Sequence, residues 1–429
     1  MKPHLIFHRL MWALSLLAAL MASPEAQAQL RLPNLPQLPG AGPGALRGAT
    51  DPLRAQAQAL LEPLSLRELG DQMLDRYPRQ LTRNAAGELV LRAQLLALPS
   101  SPEAQARVLA LPGVTLLEDT PLESLNLHWL LLRADTKLLA QLRTLDPAGQ
   151  YDYQHVYLGG GTTLVRETSA DEAQRLSPST KHADLRLGMI DSGVALRHPA
   201  LRQAQVQAWG CDGETHPAAH GTAVASLLVG QDGRFQGAVP GARLLAADAY
   251  CDAPDGGSAQ RVAKSLDWLA REHAGVVNMS LVGPANVLLQ RAVAAAQAKG
   301  LLIVAAVGND GPAAPPLYPA AWPGVVAVTG VDTRRRVLPE AGRGPHVQFA
   351  APGSELWGAD PTGAYGALRG TSFAAPLVAG LLAETWPAGE APSQAVERLR
   401  AIAIDLGPAG RDEIYGWGLV GEGLRTRSP

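Results

Sequence analysis

Between Leu185 and Gly330 short apolar runs alternate with helical patterns, and no other feature of the sequence limits its fold so tightly. The runs are LRLGMID ending at Asp191, RLLAADA at Arg243–Ala249, VVNMSL at Val276–Leu281, LLIVAAV at Leu301–Val307 and VVAVTG at Val325–Gly330. Each is too short for a helix and is apolar at successive positions, so both faces of a strand there need covering. Helical periodicity falls between them, at about His220–Val229, Ala259–His273 and Ala285–Lys299. Strands separated by helices predict an α/β fold of three layers with a mostly parallel central sheet. In such sheets ligands and chemistry gather at the carboxyl ends of the strands. The polar motifs of this sequence fall at those ends.

A smaller α+β unit is expected upstream, over about 87–158. A strand at Leu89–Leu98 is followed by a helix at Pro102–Leu111 with Ser101 as its cap. Strands at Val114–Leu117 and Leu127–Leu132 come next, then a helix at Thr136–Leu145 capped by Asp135, and a strand at Tyr151–Tyr157. That order is the one of a split βαβ sandwich. Gly159-Gly160-Gly161 and the polar stretch to about Lys181 break the pattern and mark a boundary. Residues 29–50, rich in Pro and Gly, read as a flexible linker. The expected organisation is thus 1–28, 29–50, 51–160 and 181–429.

The first of these segments reads as a signal peptide. Lys2 and Arg9 precede the apolar run Leu10–Met21, and Ala26-Gln27-Ala28 supplies small-x-small spacing for a cut after Ala28. The run falls short of the ~20 residues a spanning helix needs, so stable membrane insertion is not expected, a retained anchor being the alternative. The chain is expected to be exported, to the periplasm or beyond the cell. A net charge of -2 gives no electrostatic case for a nucleic-acid partner. The two cysteines, Cys211 and Cys251, suggest a disulfide in an oxidising compartment, against the alternative of two separate small core residues. Such a bond would stabilise the fold by about 4 kcal/mol through chain entropy.

Four polar residues stand at strand ends or helix starts. Asp191 follows an apolar run in GMIDSG, where a carboxylate can be held almost buried, and His220 opens a helical pattern in AAHGTAVASLLVG. Ser372 lies in RGTSFAAPLVAGLLAETW at the start of an apolar helix, where backbone N–H groups and the dipole favour an oxyanion. Asn309, in IVAAVGNDGP, carries an amide able to donate to the same charge. Taken singly these are an ordinary turn aspartate, structural histidine, capping serine and turn asparagine. His216 invites a metal reading, but Pro217 breaks the helix and no Glu follows His216, so no metal site is expected.

Together the words DSG, HGT, NMSL, AAVGNDGP and GTSFAAPLVAG, in the order Asp, His, Asn, Ser, resemble the subtilisin-like serine proteases over about 181–420. GAVPGARL at Gly237 and YGWGLV near the end add to the likeness. The resemblance implies a serine endopeptidase with Asp191, His220 and Ser372 as its triad and Asn309 as an oxyanion donor. It implies activity falling below about pH 6.5, no cofactor for catalysis, and leaves a structural calcium open. A polypeptide substrate would add as a strand between Ser280, Leu281, Val282 and Gly283 on one side and Gly256, Gly257 and Ser258 on the other. Val282 stands where relatives usually carry glycine, which implies a narrowed pocket and a small or medium residue before the cut. Ala223 replaces a histidine that often follows HGT. By position and element order, the unit at 87–158 resembles the family's inhibitory propeptides, implying a zymogen. An unrelated protein-binding module and an N-terminal extension that is never cut are the competing readings for that unit. For the whole chain the rivals are a non-catalytic peptide binder and an esterase, the latter lacking Gly-x-Ser-x-Gly.

Overall fold

The computed structural model describes residues 64–166, 181–386 and 390–427. The expected signal peptide and the linker at 29–50 lie outside them.

Seven strands form one sheet in the order Val347–Pro352, Val326–Val331, Leu302–Ala306, Val276–Met279, Arg186–Asp191, Arg243–Asp248, Gln205–Trp209. Every neighbouring pair is parallel. Alternation along each strand feeds two cores, as both-face hydrophobicity requires. Leu187, Met189, Val276 and Val304 point to one side, where the helices Ala219–Val229 and Thr371–Thr385 pack. Ile190, Val277 and Ile303 point to the other, under the helices Ala259–Arg271 and Val287–Ala298.

The chain crosses the sheet in one direction from Arg186–Asp191, returns to its neighbour, and then continues on the opposite side with Val276–Met279. Asp191, Ser280 and Asn309 therefore emerge at the carboxyl ends of three adjacent strands, beside a topological switch.

The N-terminal domain has the expected strand-helix-strand-strand-helix-strand order, but it begins earlier than 87. A helix at Leu66–Arg76, closed by a capping box between Ser65 and Glu68, and a short strand at Leu81–Arg83 precede it. Leu89–Leu98 sits at the centre of its antiparallel sheet. Leu95, Ala97, Leu130 and Leu132 pack on the helices Pro102–Leu109 and Leu138–Leu145. The opposite face, through Leu96, Trp129 and Leu131, joins the core under Ala259–Arg271 and Val287–Ala298. Asp135 accepts from the Lys137 amide at 2.9 Å, and the helix itself starts only at Leu138. The aspartate thus closes the approach turn; it does not cap the helix.

Polar contacts fix this docking. The Val287 amide, at the start of its helix, donates to Asp152 at 2.9 Å, and the Gln260 amide donates to Gln154 at 3.3 Å. Glu118 pairs with Lys264, and the Leu125 amide donates to Asp267 at 3.0 Å. The sandwich thus fills donor positions that helix N-termini leave open.

Candidate active site

Asp191 ends its strand 1% exposed, and its carboxylate accepts from the Ser192 amide at 2.7 Å. It also faces Nδ1 of His220, with oxygen distances of 2.8 and 3.0 Å. His220 is the second residue of the helix Ala219–Val229. The glycine that follows lets this helix approach the strand end, because a Cβ at Gly221 would collide with the Ser192 carbonyl. The same amide, that of Gly221, donates to Ser192 Oγ at 3.0 Å. Burial opposes a positive charge on the ring. The charge of Asp191, its hydrogen bond and a further one at Gly160 outweigh that, and His220 titrates above its ordinary 6.5.

Ser372 lies in the first turn of Thr371–Thr385, after Gly370. Pro376 sits four residues on and has no N–H to return to the Ser372 carbonyl. That carbonyl accepts from Ser280 Oγ at 2.7 Å instead, which ties the helix start to the neighbouring strand end. The Ser372 hydroxyl donates to the Ser280 carbonyl at 3.5 Å.

Asn309 is held by its carbonyl oxygen, which accepts from the Thr371 amide at 3.0 Å and from the Thr371 hydroxyl at 3.2 Å. Its Nδ2 is buried and has no hydrogen-bond partner among the described residues. A buried donor without a partner is costly, of order 1–3 kcal/mol, and aimed at a reacting centre it is a ready anion ligand. The carbon substituent that an alanine at Gly160 would carry would lie 3.0 Å from this nitrogen and 3.9 Å from Ser372 Oγ.

Ser372 Oγ makes no hydrogen bond to His220 in this arrangement; both border Gly160, which lies between them and the Asn309 amide. The Subtilase family model matches residues 183–418, more than half of the chain. The chain is a subtilase. It is 35% identical over 207 residues to the minor extracellular protease Epr of Bacillus subtilis (strain 168), covering 47% of this chain and 32% of that protein. Against subtilisin DY of Bacillus licheniformis it is 31% identical over 275 residues, 61% of this chain and 95% of that one. Among solved structures, fervidolysin from Fervidobacterium pennivorans superposes with a TM-score of 0.65 at 19% identity, over 81% of this chain and 62% of its own. That share exceeds what residues 183–418 can supply, so the likeness of fold reaches into the N-terminal domain.

The subtilase cleft in this structure is occupied by the chain's own segment 156–160. Leu158–Gly159 pairs antiparallel with Leu281–Val282, with Leu158 opposite Val282 and Gly159 opposite Leu281. On the other side Val156 bridges Ser258, and the Tyr157 amide donates to the Gly257 carbonyl at 2.8 Å. The Gly160 carbonyl lies 3.3 Å from Nε2 of His220. Beyond it Thr162–Arg166 continues as a strand on Tyr365–Arg369. The two edges named in the sequence therefore flank an extended segment, and Gly256 supports the turn leading into the second edge. Sequence reasoning took Gly159–Gly161 for a mere boundary and did not single out Tyr157. The only available signal was a run of three glycines after a strand.

Cys211 and Cys251 are bonded, with Cα atoms 5.3 Å apart. The bond joins the end of Gln205–Trp209 to the turn that leads to Gly256–Ser258. Ala223 is fully buried, packed beside Gly358 and away from the cleft. Among the described residues the one group with metal-ligand spacing is Cys211, Asp248 and Cys251, and the disulfide removes both thiolates from that role.

Proposed function

We propose that this subtilase is a serine endopeptidase made as a zymogen, with Ser372 as nucleophile, His220 as general base and acid, and Asp191 as its orienting carboxylate. The observation that carries the reading is that Ser372, His220 and the partnerless Asn309 amide all border one residue, Gly160: Nε2 of His220 faces its carbonyl at 3.3 Å, and a Cβ on it would stand 3.0 Å from Asn309 Nδ2 and 3.9 Å from Ser372 Oγ. In the proposed reaction Ser372 Oγ attacks a peptide carbonyl while Nε2 of His220 takes its proton. The carbonyl oxygen gains the charge and meets Nδ2 of Asn309 with the N–H groups at the helix start. His220 then passes the proton to the leaving amine, and water releases the acyl group by the same steps reversed. Asp191 holds Nδ1 as the donor and stabilises the cation.

The N-terminal domain is the proposed inhibitor of its own peptidase. Its tail fills the cleft as an added strand, and Asp152 and Gln154 accept from first-turn amides of two helices that flank the seven-stranded sheet. Nε2 of His220 facing the Gly160 carbonyl also favours the protonated ring, which cannot act as a base. Export rests on the sequence of residues 1–28. Among the described residues no helix is long and apolar enough to cross a membrane.

Two measurements test the reading. The full chain, once processed, is expected to take up one equivalent of a fluorophosphonate and to hydrolyse an unfolded protein such as casein. Peptide binding without label would leave only the binder. Asn309→Ala is expected to lower kcat by about 10²–10³-fold with little change in KM, the scale of one oxyanion donor in a subtilisin. An unchanged kcat would remove Asn309 from the mechanism.

A further inference from the structure

The residue beside Ser372 and His220 is crowded on the side of Asn309: a Cβ at Gly160 would stand 3.0 Å from Asn309 Nδ2 and 3.9 Å from Ser372 Oγ. Gly160 lies between the edge Leu281–Val282, to which its neighbour is paired, and the segment ending in Asn309. A side chain on the residue at that position has to pass between these walls. Val282 sends Cγ1 toward Gly308, 3.6 Å from where a Cβ there would stand, and Leu317 places Cδ1 2.6 Å from the same point. Both side chains are buried, Val282 at 3% exposure. Val282 and Leu317 thus occupy the space beside Gly308, next to Asn309, the side toward which a Cβ at Gly160 would point.

The neighbouring positions are equally bare. A Cβ at Gly159 would stand 3.3 Å from the His220 ring, and one at Gly161 would stand 2.6 Å from the Phe373 ring. Gly161 also has a φ of +145°, which side-chain-bearing residues rarely adopt. Val156 and Leu158 of the segment pack with Leu81, Leu89 and Leu91, whereas Tyr157, three residues before Gly160, packs on the other side. It is fully buried against Gly283, and its hydroxyl donates to the Pro284 carbonyl at 2.8 Å.

We infer that this enzyme cuts after glycine, that Val282 and Leu317 impose the restriction, and that Gly160–Gly161 is the first bond it opens. The inference rests on the proposed serine-peptidase reading and names its substrate class: extended chains with glycine before the cut and an aromatic residue three positions upstream. Selection is by backbone pairing and by the pocket around Tyr157, with steric refusal next to the nucleophile.

The full-length chain, a set of synthetic peptides varied at the residue before the cut, and fluorophosphonate titration of active sites provide the test. The released N-terminal fragment is expected to end at Gly160. Per labelled site, kcat/KM should be at least tenfold higher for glycine than for phenylalanine, leucine or methionine, since a filled pocket rejects added methylenes by such factors. Val282→Gly should raise turnover of the phenylalanine peptide at least tenfold, and the milder Val282→Ala should move it the same way. Gly160→Phe should slow self-cleavage at least tenfold, and combining it with Val282→Gly should restore it, a rescue that misfolding would not produce. A labelled enzyme that prefers large residues, or that processes Gly160→Phe at the normal rate, overturns the inference while leaving the peptidase reading intact. A chain that takes no label overturns both.

Discussion

Alanine in place of Ser372 is expected to lower kcat on a peptide by about 10⁶-fold, the scale found when the nucleophile of a subtilisin is removed. The same change should leave Gly160 and Gly161 joined. The neighbouring Ser280 hydroxyl cannot take over, since it is committed to the Ser372 carbonyl at 2.7 Å. The residual rate should still exceed that in water by about 10³–10⁴-fold, because the Asn309 amide and the binding edges remain. Ser372 is 1% exposed, and alanine removes a single atom from a helix start already fixed by the Thr371–Asn309 bonds. The variant should therefore fold. Initial rates on the purified variant and the mass of the uncut chain check the expectation, and a variant retaining a hundredth of the normal rate would refute the assignment.

Asp191→Asn is expected to cost about 10⁴-fold in kcat/KM and to change the pH profile as well. The amide can present its N–H₂ to Nδ1, which leaves the ring in the wrong tautomer with its proton on Nε2. In the unaltered enzyme His220 must be neutral to accept a proton, and its pKa lies above 6.5 because Asp191 outweighs burial. Activity should therefore climb as pH rises through that value and vanish below it. Without the carboxylate charge, burial dominates and the pKa drops, so the acidic limb of the variant's residual activity should move to lower pH. Profiles of kcat/KM from pH 5 to 9 for both proteins provide the check. Limbs that coincide would mean that Asp191 does not face the titrating group during turnover.

The sheet was legible because strands covered on both sides leave short unbroken apolar runs, and here helical patterns separate them. Ile190 and Met189 are adjacent in sequence yet feed opposite cores, and the sequence displays this as an unbroken run. The positions of Asp191, His220, Asn309 and Ser372 at element ends were legible, since each closes, opens or closely follows such an element. The occupied cleft was not. Residues Gly159–Gly161 carry no periodicity, and an absence of side chains reads as a hinge unless something shows what passes close to the backbone. Tyr157 looked like the end of a strand, and its pocket forms from Gly283 and Pro284, more than a hundred residues away. The helix at Leu66–Arg76 was missed because its apolar positions are sparse, although the Ser65–Glu68 capping box stood in the sequence as a start signal.

The helix Thr371–Thr385 is covered on nearly every side, from Thr371 through Gly380 without a break. Its first turn cannot fray independently, because leaving its place would strip the apolar layer beneath the strands from Val347–Pro352 to Arg186–Asp191. Loss of activity on heating is therefore expected to coincide with global melting, since the hydroxyl proposed as nucleophile has no local route out of register.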